Sequence, residues 1–245
     1  PTTLCHSYYQ KSIEAIRTLR MAEQEAMNAG KGLAGRVNAG LMPSFTRAAL
    51  APVLNEISIT HPHIEISVIE SYSGSLTDMV RSEELDFALV PVVTGTPGIR
   101  YSHLVRDREV LVSSPSFGFE QGKEVSLKNL SPLNIVLPTK ANIRRLKLED
   151  YFTAHSINIS KIMEMDSMMG TLELVGATQW VTILPYLICV PDMTSNARHI
   201  NPIVDPNIYS DFVIIEPLGR SLSPQATYFL KLLQEKITSL AWQDS

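Results

Sequence analysis

Short aliphatic runs alternate with helical patterns over residues 35 to 90, and this alternation constrains the fold more than any other feature of the chain. Strand patterns cover Arg36 to Leu41, Ile64 to Glu70 and Leu85 to Val90, and helical spacing covers Phe45 to Ile59 and Ser75 to Ser82. Parallel strands cannot be joined by a tight turn and need a crossover, usually a helix. Strands separated by helices therefore imply right-handed βαβ units and a parallel sheet. The rhythm restarts after Val93, with extended segments at Arg100 to Val105, Glu109 to Ser113, Asn134 to Leu137, Ile159 to Met165 and Trp180 to Leu184, and helices at Asn142 to His155 and Met168 to Val175. Extended stretches at His199 to Val204 and Phe212 to Glu216 precede a terminal helix from Pro224 to about Leu240. The stretch Pro91 to Gly98 reads as a linker. Two α/β halves around a cleft are expected.

With 245 residues, 44% apolar and 19% charged, the chain is large enough for two modest cores or one large one. A net charge of −4 offers no phosphate-tracking face. The one basic cluster, Arg144-Arg145-Leu146-Lys147, is expected to be the solvated side of a helix. Cys5 and Cys189 lie far apart without C-x-x-C spacing, which fits a reducing compartment and incidental thiols. No apolar run approaches the ~20 residues of a membrane helix, and no signal peptide is visible, so no membrane contact and a cytoplasmic location are expected. The first residue is Pro rather than Met, and the expectation is that an upstream segment is missing.

The segment Gly35 to Phe45 runs from a strand pattern through a small polar turn into a helix. Helix starts carry unpaired N–H groups and partial positive charge, and so attract anions. Open α/β sheets bind ligands beyond the carboxyl ends of their strands. The candidate turns are Met42-Pro43-Ser44, Ser71-Tyr72-Ser73-Gly74 and Pro138-Thr139-Lys140-Ala141-Asn142. Ser44 and Thr139 would offer hydroxyls, although a Ser or Thr before a helix also serves simply as a cap. Lys140 would supply a counter-charge to an acid, or stand in solvent.

An amphipathic helix over roughly Tyr8 to Ala29, with Tyr9, Ile13, Ile16, Leu19, Ala22 and Ala26 on one stripe, precedes the Gly35 strand; the run Arg81 to Val90 closes the first βαβαβ unit. In this order the three features resemble the regulatory part of LysR-type transcriptional regulators, without the DNA-binding head. The Gly40-Leu41-x-Pro43-Ser44 turn is similar to that of the branch of nitrogen-assimilation and aromatic-acid regulators. The resemblance implies two Rossmann-like subdomains around a cleft, like periplasmic binding proteins, preceded by a linker helix. Residues 1–34 would be the linker or dimerisation helix, 35–90 plus 196–245 the first subdomain and 91–195 the second. The crossings would fall near Val90 to Val92 and near Asp192 to Ala197. It further implies a small organic acid effector in the cleft, self-association as a dimer or tetramer, and DNA contact only through the absent head. The helix would pair with a copy of itself, or pack back on its own domain.

By the same resemblance Ser44 aligns with the serine or threonine that commonly contacts the effector, and Thr139 lies in the matching loop of the second half. Met42, Tyr72, Lys140 and Asn142 complete the expected lining. The family often has Gly-x-Gly before its last second-half strand, where this chain has Thr178-Gln179-Trp180. Gln179 would then be a polar contact, and Trp180 either a cleft wall or core filling.

No Gly-x-Ser-x-Gly, phosphate loop, His-x-x-x-His or paired-Cys motif appears, so neither an enzyme nor a cofactor is expected. His61-Pro62-His63 is read as a plain helix-to-strand connection rather than a metal pair. A free-standing solute-binding protein is the alternative, since its fold is similar, and an isolated doubly wound enzyme domain is a third reading.

Overall fold

The structure, a computed structural model, describes residues 2, 4–5, 7–9, 11–12, 15–16, 18–19, 22, 32–92, 95–140 and 142–243. In the first half, β1 (Gly35–Leu41), β2 (Ile64–Glu70) and β3 (Phe87–Pro91) are parallel, with β1 in the middle. Helix α1 follows β1 as a first turn (Pro43–Phe45), a π-helical segment (Thr46–Leu50) and a regular segment (Ala51–Thr60). Helix α2 (Ser73–Arg81) joins β2 to β3. The His61-Pro62-His63 turn joins α1 to β2, and the His61 ring packs on Tyr228 with centroids 4.6 Å apart.

Long strand β4 (Ile99–Ser113) then leaves for the second half. There β5 (Val125–Ser126), α3 (Leu127–Leu130), β6 (Leu133–Leu137), α4 (Ile143–Ala154), β7 (Ile159–Glu164), α5 (Met168–Ala177), β8 (Val181–Pro185) and α6 (Tyr186–Cys189) follow in turn. Strand β6 is parallel to both β7 and β8. After β9 (His199–Val204) the chain returns through β10 (Tyr209–Pro217) and ends in α7 (Pro224–Leu240). The order across the sheet is β2-β1-β3-β10-β4-β8-β6-β7, with β9 beside β4 and β5.

Each half carries apolar packing on both faces of its sheet, which is why its central strands read as continuous apolar runs. On one face of the first half Phe45, Phe87, Phe212 and Phe229 pack with β1, α1 and α7; on the other Leu76, Val80, Leu85 and Ala88 form a second cluster. The second half repeats this with Leu111, Ile135, Leu148 and Phe152 on one face and Val112, Val136, Leu172 and Val175 on the other. Gly40 in β1 is required by space: a Cβ there would meet Leu85 Cδ1 at 2.7 Å and Ala88 Cβ and Leu76 Cδ2 at 2.9 Å.

Three expectations change. The outgoing crossing moves from Val90–Val92 to β4, which joins the separate extended segments expected at Arg100–Val105 and Glu109–Ser113 into one strand with Asp107 and Arg108 buried. The return crossing moves from Asp192–Ala197 to β10. His199–Val204 pairs with Val110–Ser113 and with Val125–Ser126, so residues 199 to 204 belong to the second-half strands rather than the first. Of the basic run of α4, Lys147 is exposed as expected but the two arginines are not solvated. Arg145 is buried, with Nε 2.7 Å from Glu149 Oε1 and Nη1 2.9 Å from the Pro138 carbonyl.

The described residues between Leu4 and Ala22 are helical, and of the expected stripe Tyr9, Ile16, Leu19 and Ala22 are exposed rather than packed on the domain. Ile13, Ala26 and the end of that helix lie outside the described residues. Among the described residues no helix is long and apolar enough to cross a membrane.

Candidate functional site

The carboxyl ends of β1, β2 and β6 face one cleft between the halves. Three adjoining cavities, of about 50, 570 and 220 Å3, share lining residues there. Met42, Tyr72 and Asn142 line the smallest, together with Met165, Met168 and Leu184. Methionines make such a wall adaptable in shape. Ser44, which is buried, lines the 220 Å3 cavity with Met42, Arg144, Lys147 and Ser210. Thr139 lines the largest, opposite Ser73, Gly74 and Ser75 at the start of α2. Five of the eight expected residues thus line the cleft, and Lys140 is exposed and outside the lining of these cavities.

Gln179 and Trp180 stand apart from the cleft. They precede β8, which runs parallel to β6, so they occupy the amino end of the sheet while the cavities occupy its carboxyl end. Gln179 Nε2 donates to Ser116 Oγ at 3.0 Å, and Trp180 packs against the Val110 and Val112 cluster.

The two halves treat their helix starts differently. No side chain caps α1 at Met42 or α2 at Tyr72. Pro43 has no N–H, and the amides of Phe45 and Thr46 turn back to the Met42 carbonyl at 2.9 and 3.2 Å. In the second half the corresponding donors are taken by the chain itself. Asn142 Oδ1 accepts from the Arg144 amide at 3.0 Å and Ser167 Oγ from the Gly170 amide at 3.1 Å. The Thr139 amide and hydroxyl, expected to be free for a ligand, donate to Asp166 Oδ1 at 3.0 Å and Oδ2 at 2.7 Å. The start of α2 is therefore the one of these four with neither a side-chain cap nor a proline in its first turn, and α1 adds the Ser44 amide and hydroxyl.

Sequence reasoning missed Arg144 and its partners. Its guanidinium pairs with the buried Glu109 of β4 and donates to the Ile183 carbonyl at 2.7 Å, while Ser210 Oγ of β10 donates to Glu109 Oε1 at 2.6 Å. The cleft wall is thereby fastened to both crossing strands. A second tie joins the halves: Arg47 of α1 makes two bonds to Asp192, at 2.8 and 2.9 Å, and Asp192 also accepts from Arg198 at 2.9 Å. Beside Glu109, Asp107 accepts from the Leu187 amide at 2.8 Å; burial, reinforced by Glu109, lifts its pKa from 3.8 to about 7. The Tyr72 phenol is also pushed up, first by burial and then by the charges of Asp166 and Glu70.

A model of the LysR substrate binding domain matches residues 30–238. The chain belongs to that family. Among relatives of this LysR domain, the nitrogen assimilation regulatory protein nac of Escherichia coli (strain K12) is 22% identical over 240 residues, covering 98% of this chain and 78% of that protein. Two solved structures share the fold. The CcmR regulatory domain of Synechocystis PCC6803 in complex with 2-PG has a TM-score of 0.70 at 16% identity, covering 82% of this chain and 96% of that one. A hydrogen-peroxide-bound cysteine-to-serine mutant of Corynebacterium glutamicum OxyR has a TM-score of 0.72 at 18% identity, covering 94% of this chain and 76% of that one. The architecture is thus that of LysR effector-binding domains, with two periplasmic-binding-protein-like subdomains.

Proposed function

We propose that this chain is the effector-sensing part of a bacterial, cytoplasmic LysR-type transcriptional regulator. It binds a small organic acid between the halves and contacts DNA only through a head domain outside this chain. The observation that carries the reading is the cleft itself: an uncapped helix start with Ser44 on one side, Met42, Tyr72 and Asn142 along it, and two crossing strands as a hinge. The acid's carboxylate sits at the start of α1, where the Ser44 amide and hydroxyl and the helix dipole favour it, beside the uncapped start of α2. Closing the halves shifts a pre-existing equilibrium and changes the spacing of attached heads, provided the ligand prefers one state. The family match favours this over a free-standing solute-binding protein, and over an enzyme.

Self-association belongs to the same reading, with the exposed apolar side chains of Tyr9, Ile16 and Leu19 available to a second copy. Sedimentation at tens of micromolar is the check; a strict monomer removes the pairing but not the sensing.

Calorimetry on a panel of carboxylates tests the effector site. A binder is expected, and Ser44→Ala is expected to weaken it about tenfold, or about 1.4 kcal/mol. Ser44 is not the cap residue, so its melting midpoint should move by less than the ~2–4 °C that 1 kcal/mol produces in a chain of this size. Unchanged affinity in Ser44→Ala refutes the site assignment.

A further inference from the structure

The strongest unassigned feature of the cleft is a carboxylate of its own. Asp166 stands in the loop between β7 and α5 and lines both the 50 and the 570 Å3 cavities. Thr139 holds it in place with one donor on each oxygen. A carboxylate offers about four acceptor positions, so two remain for the cavity. Among the described residues no salt bridge reaches Asp166. The cations that line these two cavities have other partners, Arg81 with Asp78 at 2.7 Å and Arg144 with Glu109, while Lys140 beside Thr139 is exposed and lines neither. Tyr72 lines the same cavities, and its phenol is pushed up first by burial and then by the charge of Asp166.

Resting on the effector reading above, we propose that Asp166 selects effectors bearing a hydrogen-bond donor, an ammonium or a hydroxyl, opposite their acid group. When a ligand fills the cleft and water leaves, an unanswered carboxylate loses its solvation. A donor on the ligand replaces that water with a charge-assisted hydrogen bond. A ligand carboxylate placed against Asp166 meets like charge, which rejects it from this side of the cleft. The first half supplies donors and the second half an acceptor, so the complementary molecule is an amino or hydroxy acid aligned across the gap.

Calorimetry with matched series tests this: 3-phenylpropionate, 3-phenyllactate, phenylalanine and phenethylamine, and succinate, malate and aspartate. In at least one series the donor-bearing acid is expected to bind tenfold or more tighter than the plain acid. Asp166→Asn is expected to remove most of an ammonium preference while keeping part of a hydroxyl preference, because the amide still accepts but carries no charge. Thr139→Val, which frees Asp166 to turn away, is expected to weaken the preference in the same direction. Plain acids binding as tightly as their counterparts, to the parent and to Asp166→Asn alike, overturns the selection by Asp166 and leaves the effector reading standing. Phenethylamine binding that Asp166→Asn abolishes upholds Asp166 and removes the acid from the effector reading. No binding anywhere in the panel overturns both. The comparison within the parent protein stands even where Asp166→Asn does not fold.

Discussion

The tie between Arg47 and Asp192 makes a quantitative prediction. Asp192 is 3% exposed and receives two guanidinium groups, Arg47 from the first half and Arg198 from the second. Asp192→Asn removes the anion bonded to Arg47 and leaves the buried Arg198 and the partly buried Arg47 facing an amide. Breaking a buried pair by deleting one partner costs about 3–5 kcal/mol. Arg47→Met is milder, because Asp192 keeps Arg198 at 2.9 Å and the Met side chain refills the space of the lost methylenes. Its expected cost is about 1.5–3 kcal/mol, the contribution of hydrogen bonds to a charged group. Urea unfolding followed by fluorescence measures both, with Trp180 in the second half and Trp242 beside the crossing, where Arg108 stacks over its ring at 5.0 Å. Because the pair is buried, 1 M salt should change neither value much. Refutation is simple: Asp192→Asn no more costly than Arg47→Met, or either within ~0.5 kcal/mol of the parent, the range of surface substitutions.

Gly40→Ala should destabilise by about 1–3 kcal/mol through overpacking against Leu85, Ala88 and Leu76; an unchanged melting midpoint refutes this. Asp107 stays protonated in the fold up to about pH 7, whereas the unfolded chain releases that proton near 3.8, so raising the pH through this window favours the unfolded state. The stability of Asp107→Asn relative to the parent should therefore rise between pH 5 and pH 8, by on the order of 2–3 kcal/mol; a pH-independent difference in urea midpoints refutes it. Cys189 is fully buried, with its thiol pushed up by burial first and Asp192 second, whereas Cys5 is exposed. Ellman's reagent should consume one thiol at once and the second only on unfolding.

The alternation of strands and helices was legible because it rests on local periodicity, and the parallel direction of strands joined by a helix follows from the crossover. Strand β4 was not legible as one element. Its centre carries Arg106, Asp107 and Arg108, and only the tertiary structure supplies their partners: the Leu187 amide for Asp107, the Ile203 carbonyl for Arg108 and the Asp211 carboxylate for Arg106. The same limit misplaced β9. Two apolar stretches follow one another near the C-terminus, and no local signal says which sheet each joins.

At the site, the strand ends that face the cleft were legible, since topology places ligands at carboxyl ends. The occupancy of the donors was not. Asp166 lies 27 residues from Thr139, Glu109 lies 35 from Arg144, and Ser210 lies 101 from Glu109. One signal was available in the sequence: a cation in the first turn of a helix opposes the dipole, so Arg144 and Arg145 at the start of α4 are favoured there only with anionic or carbonyl partners. What those contacts add is polarity. The uncapped start of α2 and the Ser44 hydroxyl on the first half offer donors, and Asp166 on the second offers an acceptor. A ligand matching only one of them binds that half as well in the open form as in the closed form, and such a ligand shifts no equilibrium however tightly it binds. On the proposed reading, a ligand matching both makes its second set of bonds only when the halves meet, and that difference in affinity would turn binding into closure.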